Sequence, residues 1–158
     1  MGPAMQGFAG SGGGRQSVEL LREYLDLGVL GILGTMSFLM VWFGVERYLF
    51  YRRLDLGRFT HPDELNIELT RNLTLISSIG SNAPYVGLLG TVLGILLTFY
   101  DIGKGGGIDT NAVMLGLALA LKATALGLLV AIPAILIYNG LLRKVDVLSA
   151  RWKKERET

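Results

Sequence analysis

Between Arg71 and Asp101 the chain carries no aspartate, glutamate, lysine, arginine or histidine, and between Asp109 and Arg143 it carries one, Lys122. Each run exceeds the roughly twenty residues that cross about 30 Å of hydrocarbon. A third uncharged run, Leu27 to Val45, is just long enough. Three buried helices of a soluble bundle would each need a polar face, and none of these runs has one. The expected fold class is therefore an all-α integral membrane protein with three transmembrane helices, over about 27–45, 73–99 and 111–141.

The segments between these spans set their ends. Residues 1–17 are rich in glycine and lack the continuous apolar stretch of a secretory signal, so they read as a flexible lead. Val18 to Asp26 is amphipathic and is expected to lie at the membrane surface before the first span. Trp42, Glu46, Arg47 and Tyr48 form a collar of the kind found at head-group level. In the loop 46–72, Thr60, Pro62, Asp63 and Glu64 have the order of a helix start, with Thr60 as the expected cap. From there one helix is expected to run to Phe99, with Leu65, Leu69, Leu73 and Ile76 on one face. The glycine-rich stretch from Asp101 to Thr110 then turns the chain, giving an antiparallel hairpin with an outer loop 100–110.

From Asn111 to Leu142 a helix would be about 48 Å long, more than the hydrocarbon is thick, so helices two and three are expected to extend into the cytoplasm. The basic residues 153–158 form a tail. Arg47, Arg52, Arg53, Arg58 and Arg71 in the first loop join six lysines and arginines after Leu142, against Arg15, Arg22 and Lys104 on the other side. That asymmetry places the N-terminus outside and the C-terminus in the cytoplasm.

Chemistry is sparse. The chain has no cysteine and one histidine, His61, so it offers no thiolate and no cluster for a metal. With no nucleophile or paired carboxylates either, an enzyme reading has nothing to stand on, and no cofactor is expected. What stands out instead is small residues at helical spacing. Ala83, Gly87, Gly90, Thr91, Gly94 and Thr98 share a face of helix two, and Gly116, Ala120, Thr124, Gly127, Ala131, Ala134 and Tyr138 fall within about 80° of arc on helix three. Close helix packing explains the glycines. Thr91 and Thr124 are hydroxyls in the deepest apolar stretches, where polar side chains mark function or bond to their own helix.

Pro84 frees the carbonyl of Gly80, with Ser77, Ser78, Ser81 and Asn82 near enough to satisfy it, so a kink or polar vestibule is expected there. Pro133 is expected to kink helix three. Lys122, the one charge at depth, lies about 155° from the centre of the small-residue stripe. Its expected role is structural, by snorkelling outward or by bonding to Thr35 or Ser37 of helix one.

Gly80 to Ile95 (GSNAPYVGLLGTVLGI) and Ala120 to Ala134 (ALKATALGLLVAIPA) resemble the two signature segments of the MotA/TolQ/ExbB proton-channel family, and most of all its ExbB branch. The likeness extends from about Val18 to Trp152. It implies a homopentamer in the bacterial inner membrane around an ExbD-like single-span partner, whose membrane aspartate carries the proton, with a TonB-like protein receiving the motion. It also implies that Thr91 and Thr124 line the proton pathway, while Ala83, Gly87, Gly90, Gly94, Gly116, Ala120, Gly127 and Ala131 are expected from their spacing to be pore stripe and packing. Leu119 stands where many members carry glutamate, and Lys122 where an aliphatic residue is common. A TolQ-like subunit of the Tol-Pal envelope system and a passive membrane scaffold are the alternative readings.

Overall fold

The computed structural model describes residues 12–104 and 109–157. Residues 1–11 of the expected flexible lead, 105–108 of the outer loop and Thr158 of the tail lie outside the described residues. The fold is all-helical: α1 (Gly12–Arg53), a 3-10 turn (Leu56–Arg58), α2 (Pro62–Thr70), α3 (Leu73–Lys104) and α4 (Thr110–Arg156). α1, α3 and α4 are long and apolar enough to cross a membrane.

Two boundaries differ from the sequence reading. Val18 to Asp26 is not a separate surface helix, because α1 runs unbroken from Gly12 through the first span to Arg53. Leu25 and Val29 pack on the hairpin behind them, which favours a continuous helix over a bend. The lead residues 12–17 and the first part of the loop 46–72 thus belong to this helix of 42 residues.

The expected second helix is also divided. Arg71 has ψ 135° and Asn72 has φ 63°, and together they separate α2 from α3. Asparagine tolerates the left-handed region better than most side chains, so it suits the position. The cap of α2 is His61, which makes no side-chain bond, rather than Thr60; Pro62 occupies the first turn, where its missing N–H costs nothing.

A helix that stops abruptly leaves carbonyls without partners. α1 supplies them. Arg47, 3 % exposed, donates from Nη1 to the Glu68 carbonyl (3.1 Å) and from Nη2 to Glu46 Oε1 (2.9 Å). One turn on, the Tyr51 hydroxyl donates to the Leu69 carbonyl at 2.5 Å. Asn72 Nδ2 donates to the other carboxylate oxygen of Glu46 (3.2 Å), which fixes the turn against α1. Leu65, Leu69, Leu73 and Ile76, expected on one face, are all buried, packed with Tyr51, Leu141, Val145 and Trp152. Trp152 Nε1 (3.2 Å) and the Arg156 guanidinium both donate to the Phe59 carbonyl, so the end of α4 is fastened to the loop.

The two long central helices meet along a seam of small residues. On α3, Gly80, Gly87 and Gly94 recur every seven residues, and on α4 so do Ala120, Gly127 and Ala134. The antiparallel register brings Gly80 to Ala134, Gly87 to Gly127 and Gly94 to Ala120. A strict seven-residue repeat holds a contact line between helices that wrap gently about each other. At its centre a Cβ on Gly87 would stand 2.6 Å from the Ala123 carbonyl oxygen and 3.0 Å from the Gly127 Cα, so the backbones touch and only glycine fits. Outside the seam the helices expose large apolar side chains, among them Phe38, Trp42, Tyr85, Leu96, Leu129 and Leu136, as expected of surfaces meeting lipid or other copies.

Two substitutions and a control test this frame. Tyr51→Phe leaves the Leu69 carbonyl without its donor and should cost about 1–3 kcal/mol, seen as a lower unfolding midpoint in detergent. Gly87→Val should separate α3 from α4 and lower the midpoint further, whereas Gly34→Val, on α1 with nothing within 4 Å of an added Cβ, should leave it nearly unchanged.

Candidate functional site

The seam brings together the two hydroxyls singled out in the sequence. Thr91 Oγ1 and Thr124 Oγ1 lie 2.6 Å apart, a hydrogen bond between helices. Thr91 Oγ1 also lies 2.9 Å from the Ala120 carbonyl and 3.3 Å from the Gly87 carbonyl. Thr91 is 6 % exposed, whereas Thr124 is only half-buried. The close approach at Gly87 and Gly127 is what allows the contact, since bulkier residues would hold the helices too far apart.

A proton count orders the pair. Each hydroxyl has one hydrogen to give and two lone pairs to receive. With Thr91 donating to the Ala120 carbonyl, the shorter of its two options, it receives from Thr124. The Thr124 oxygen then keeps its lone pairs for a donor outside the chain. By turning its own hydrogen outward, Thr124 instead becomes a donor. The half-buried member is thus the one that can serve both protonation states of an acid placed beside it.

The other residues of the stripe lie in the same seam. Ala83, Gly87, Gly90, Ala120, Gly127 and Ala131 are buried between helices. Gly94 sits against Ala120, and a Cβ on Gly116 would meet Thr98 Oγ1 at 2.7 Å. Gly90 is pressed from two sides, by Ala123 of α4 and Val29 of α1.

The residues around Pro84 are arranged differently from the expectation. Ser81 Oγ donates to the Ser77 carbonyl (2.9 Å) and Asn82 Nδ2 to the Ser78 carbonyl (2.8 Å), each one turn back, so neither bond goes to the Gly80 carbonyl that Pro84 frees. α3 and α4 continue as helices through Pro84 and Pro133.

Lys122 is exposed and lines a narrow groove with Asp26, Val29 and Leu30 of α1. The expected contact with Thr35 or Ser37 is not made. Those residues lie several α1 residues beyond the groove, and Thr35 donates to its own helix at Gly31. A carboxylate therefore lines the same groove as Lys122, together with Val29 and Ala123, the residues that press on Gly90.

Three contacts have no counterpart in the sequence reading. Arg22 Nη2 donates to Thr98 Oγ1 at 3.0 Å, tying the first part of α1 to the Thr98 end of the seam. Arg47, read as part of a head-group collar and as a loop cation, and Tyr51, not singled out in the sequence, prove to be the clasp on α2. Their i, i+4 spacing puts both on one helix face, a usable signal once α1 is known to continue that far.

Comparison with known proteins agrees with this architecture. The model of the MotA/TolQ/ExbB proton channel family matches residues 60–154. The biopolymer transport protein ExbB of Helicobacter pylori is 56% identical over 137 residues, covering 87% of this chain and 94% of its own length. The ExbB of Aquifex aeolicus is 52% identical over 136 residues, covering 86% and 92%. A putative ExbB-like 2 protein of Helicobacter pylori is 51% identical over 132 residues, covering 84% and 88%. With a seam of this register carrying a threonine pair at depth, and relatives of this identity along nearly their whole length, the chain belongs to the MotA/TolQ/ExbB proton channel family.

Proposed function

We propose that the chain is the proton-channel subunit of an ExbB–ExbD-type energiser in the inner membrane, using the proton motive force to drive TonB-dependent uptake. The observation that carries the reading is the Thr91–Thr124 pair, joined at 2.6 Å in a span pair that contains no carboxylate. A proton path needs a titratable group at depth, and this chain has none to offer in the seam. A single-span partner with a membrane aspartate supplies it, inside a homopentameric ring of which α3 and α4 form the wall and α1 the outer layer. The N-terminus lies outside, and the clasp around Arg47 and Trp152 faces the cytoplasm.

In such a ring the partner's acid is desolvated, which raises its pKa and lets it accept a proton from the outer side. Neutral, it donates to the free lone pair of Thr124. Ionised, it receives the Thr124 hydrogen turned outward, and Thr91 turns its own hydrogen from the Ala120 carbonyl to the Thr124 oxygen. The pair exchanges its hydrogen-bond direction without moving the helices. The drive is about 2.3 kcal/mol per proton for each 100 mV. A passive scaffold accounts for the glycines of the seam but gives no reason for a hydroxyl that keeps an open acceptor.

The test is proton uptake by liposomes holding the ring and its partner under an imposed potential. Thr124→Val keeps the shape and removes the switchable hydroxyl, so flux should fall roughly tenfold to a hundredfold, the range for losing one buried hydrogen bond of about 1–3 kcal/mol. Thr91→Val should slow flux less, since it acts through Thr124. Wild-type flux from both variants with intact rings contradicts the assignment. Lys122→Met should retain most nutrient uptake, because Lys122 lies about 155° from the centre of the small-residue stripe; abolished uptake in an assembled ring would give Lys122 a part in transport.

A further inference from the structure

We propose that the groove between α1 and α4 near the Lys144 end is a binding site for an anionic phospholipid. The groove has a volume of about 400 Å³ and is lined by Gly44, Val45 and Tyr48 on α1 and by Ile137, Gly140 and Lys144 on α4. That volume lies within the range of ligand sites. The lining is almost wholly apolar, and Lys144 stands at one end of it with its ammonium 3.8 Å above the centre of the Tyr48 ring. Gly44 and Tyr48 are one turn apart on one helix, and Gly140 and Lys144 one turn apart on the other, so two glycines floor the groove directly beside its single cation.

The glycines differ in what they are for. A Cβ at Gly44 would come within 3.1 Å of Ile137, so its absence lets α1 approach α4. A Cβ at Gly140 would meet nothing within 4 Å. Glycine inside a helix is less favourable than alanine, and the chain's own packing gives nothing back at this position. Space left open beside an apolar wall fits an acyl chain. Charge complementarity selects the head group: Lys144 offers a point charge with three donors, suited to a phosphate, while its stem and the Tyr48 ring lie along the chain. Tyr48 and Trp42 mark this level as the head-group zone. A zwitterionic lipid brings a choline that Lys144 repels, so an anionic lipid is favoured.

Native mass spectrometry of the detergent-solubilised full chain reads this directly, with phosphatidylglycerol and phosphatidylcholine of equal chain length added in turn. The wild type should retain phosphatidylglycerol several-fold more than phosphatidylcholine. Gly140→Leu, which fills the groove, should lower retained phosphatidylglycerol at least fivefold without changing the mass of the protein assembly. Lys144→Gln should abolish the preference while apolar retention persists. Gly28→Leu, also with nothing within 4 Å but outside the groove, should behave as wild type. Equal retention of the two lipids by the wild type, or undiminished retention by either groove variant, overturns the proposal. An assembly mass altered by Gly140→Leu also overturns it, because the face then belongs to a second copy of the chain. Should Gly140→Leu fail to fold, Lys144→Gln decides the question alone.

Discussion

The close approach of α3 and α4 at Gly87 and Gly127 is the constraint on which the rest of the molecule depends. Where a Cβ would stand 2.6 Å from the opposite carbonyl, no residue but glycine lets the backbones touch. In a bilayer such contact must come from packing, because lipid tails are as apolar as the helices and give no hydrophobic drive to association. The seven-residue recurrence of small side chains keeps the contact continuous from Gly80 to Gly94. At this separation two threonine hydroxyls on facing helices bond directly, which bulkier neighbours would prevent. Packing and chemistry are thus two consequences of one spacing.

At the other end of the molecule the logic is polar. α2 is too short to be held by its own hydrogen bonds, and its final carbonyls are taken by Arg47 and Tyr51 from α1. An arginine is almost wholly buried there with its charge matched by Glu46 and one of its donors taken by the helix end, while its Nε has no partner among the described residues. The clasp also shapes the loop to which Trp152 and Arg156 anchor the end of α4. The seam joins α3 to α4 along the middle of the hairpin, and the clasp joins α1 to α2 just before α3 begins, each by different physics.

The spans were legible in the sequence because an uncharged run longer than a bilayer is thick admits few other structures. Thr91 and Thr124 were legible because hydroxyls at depth are few and both fell on small-residue faces. Their direct bond was not, since register between two helices depends on where each begins and on the turn that joins them. The break at Asn72 escaped the periodicity because Leu65, Leu69, Leu73 and Ile76 keep a helical rhythm across it: the turn re-phases the chain so that all four remain buried. Arg22 and Arg47 were counted as charges that set orientation, and a charge count cannot reveal which of them turn inward to a hydroxyl or a carbonyl. The continuity of α1 past Asp26 was hidden for a related reason, as amphipathic composition suits a surface helix and an extended span equally.

A seam with hydroxyls but no acid is a receptive surface, able to answer a proton carrier and unable to be one. The most direct measurement is therefore proton uptake by liposomes under an imposed potential, with the assembled chain alone and then with a single-span partner carrying a membrane aspartate. The chain alone should be silent, the complex should conduct, and the complex with that aspartate changed to asparagine should be silent again. Potential-driven proton flux through the chain in the absence of any partner would contradict the mechanism, because a carrier would then have to lie within these helices.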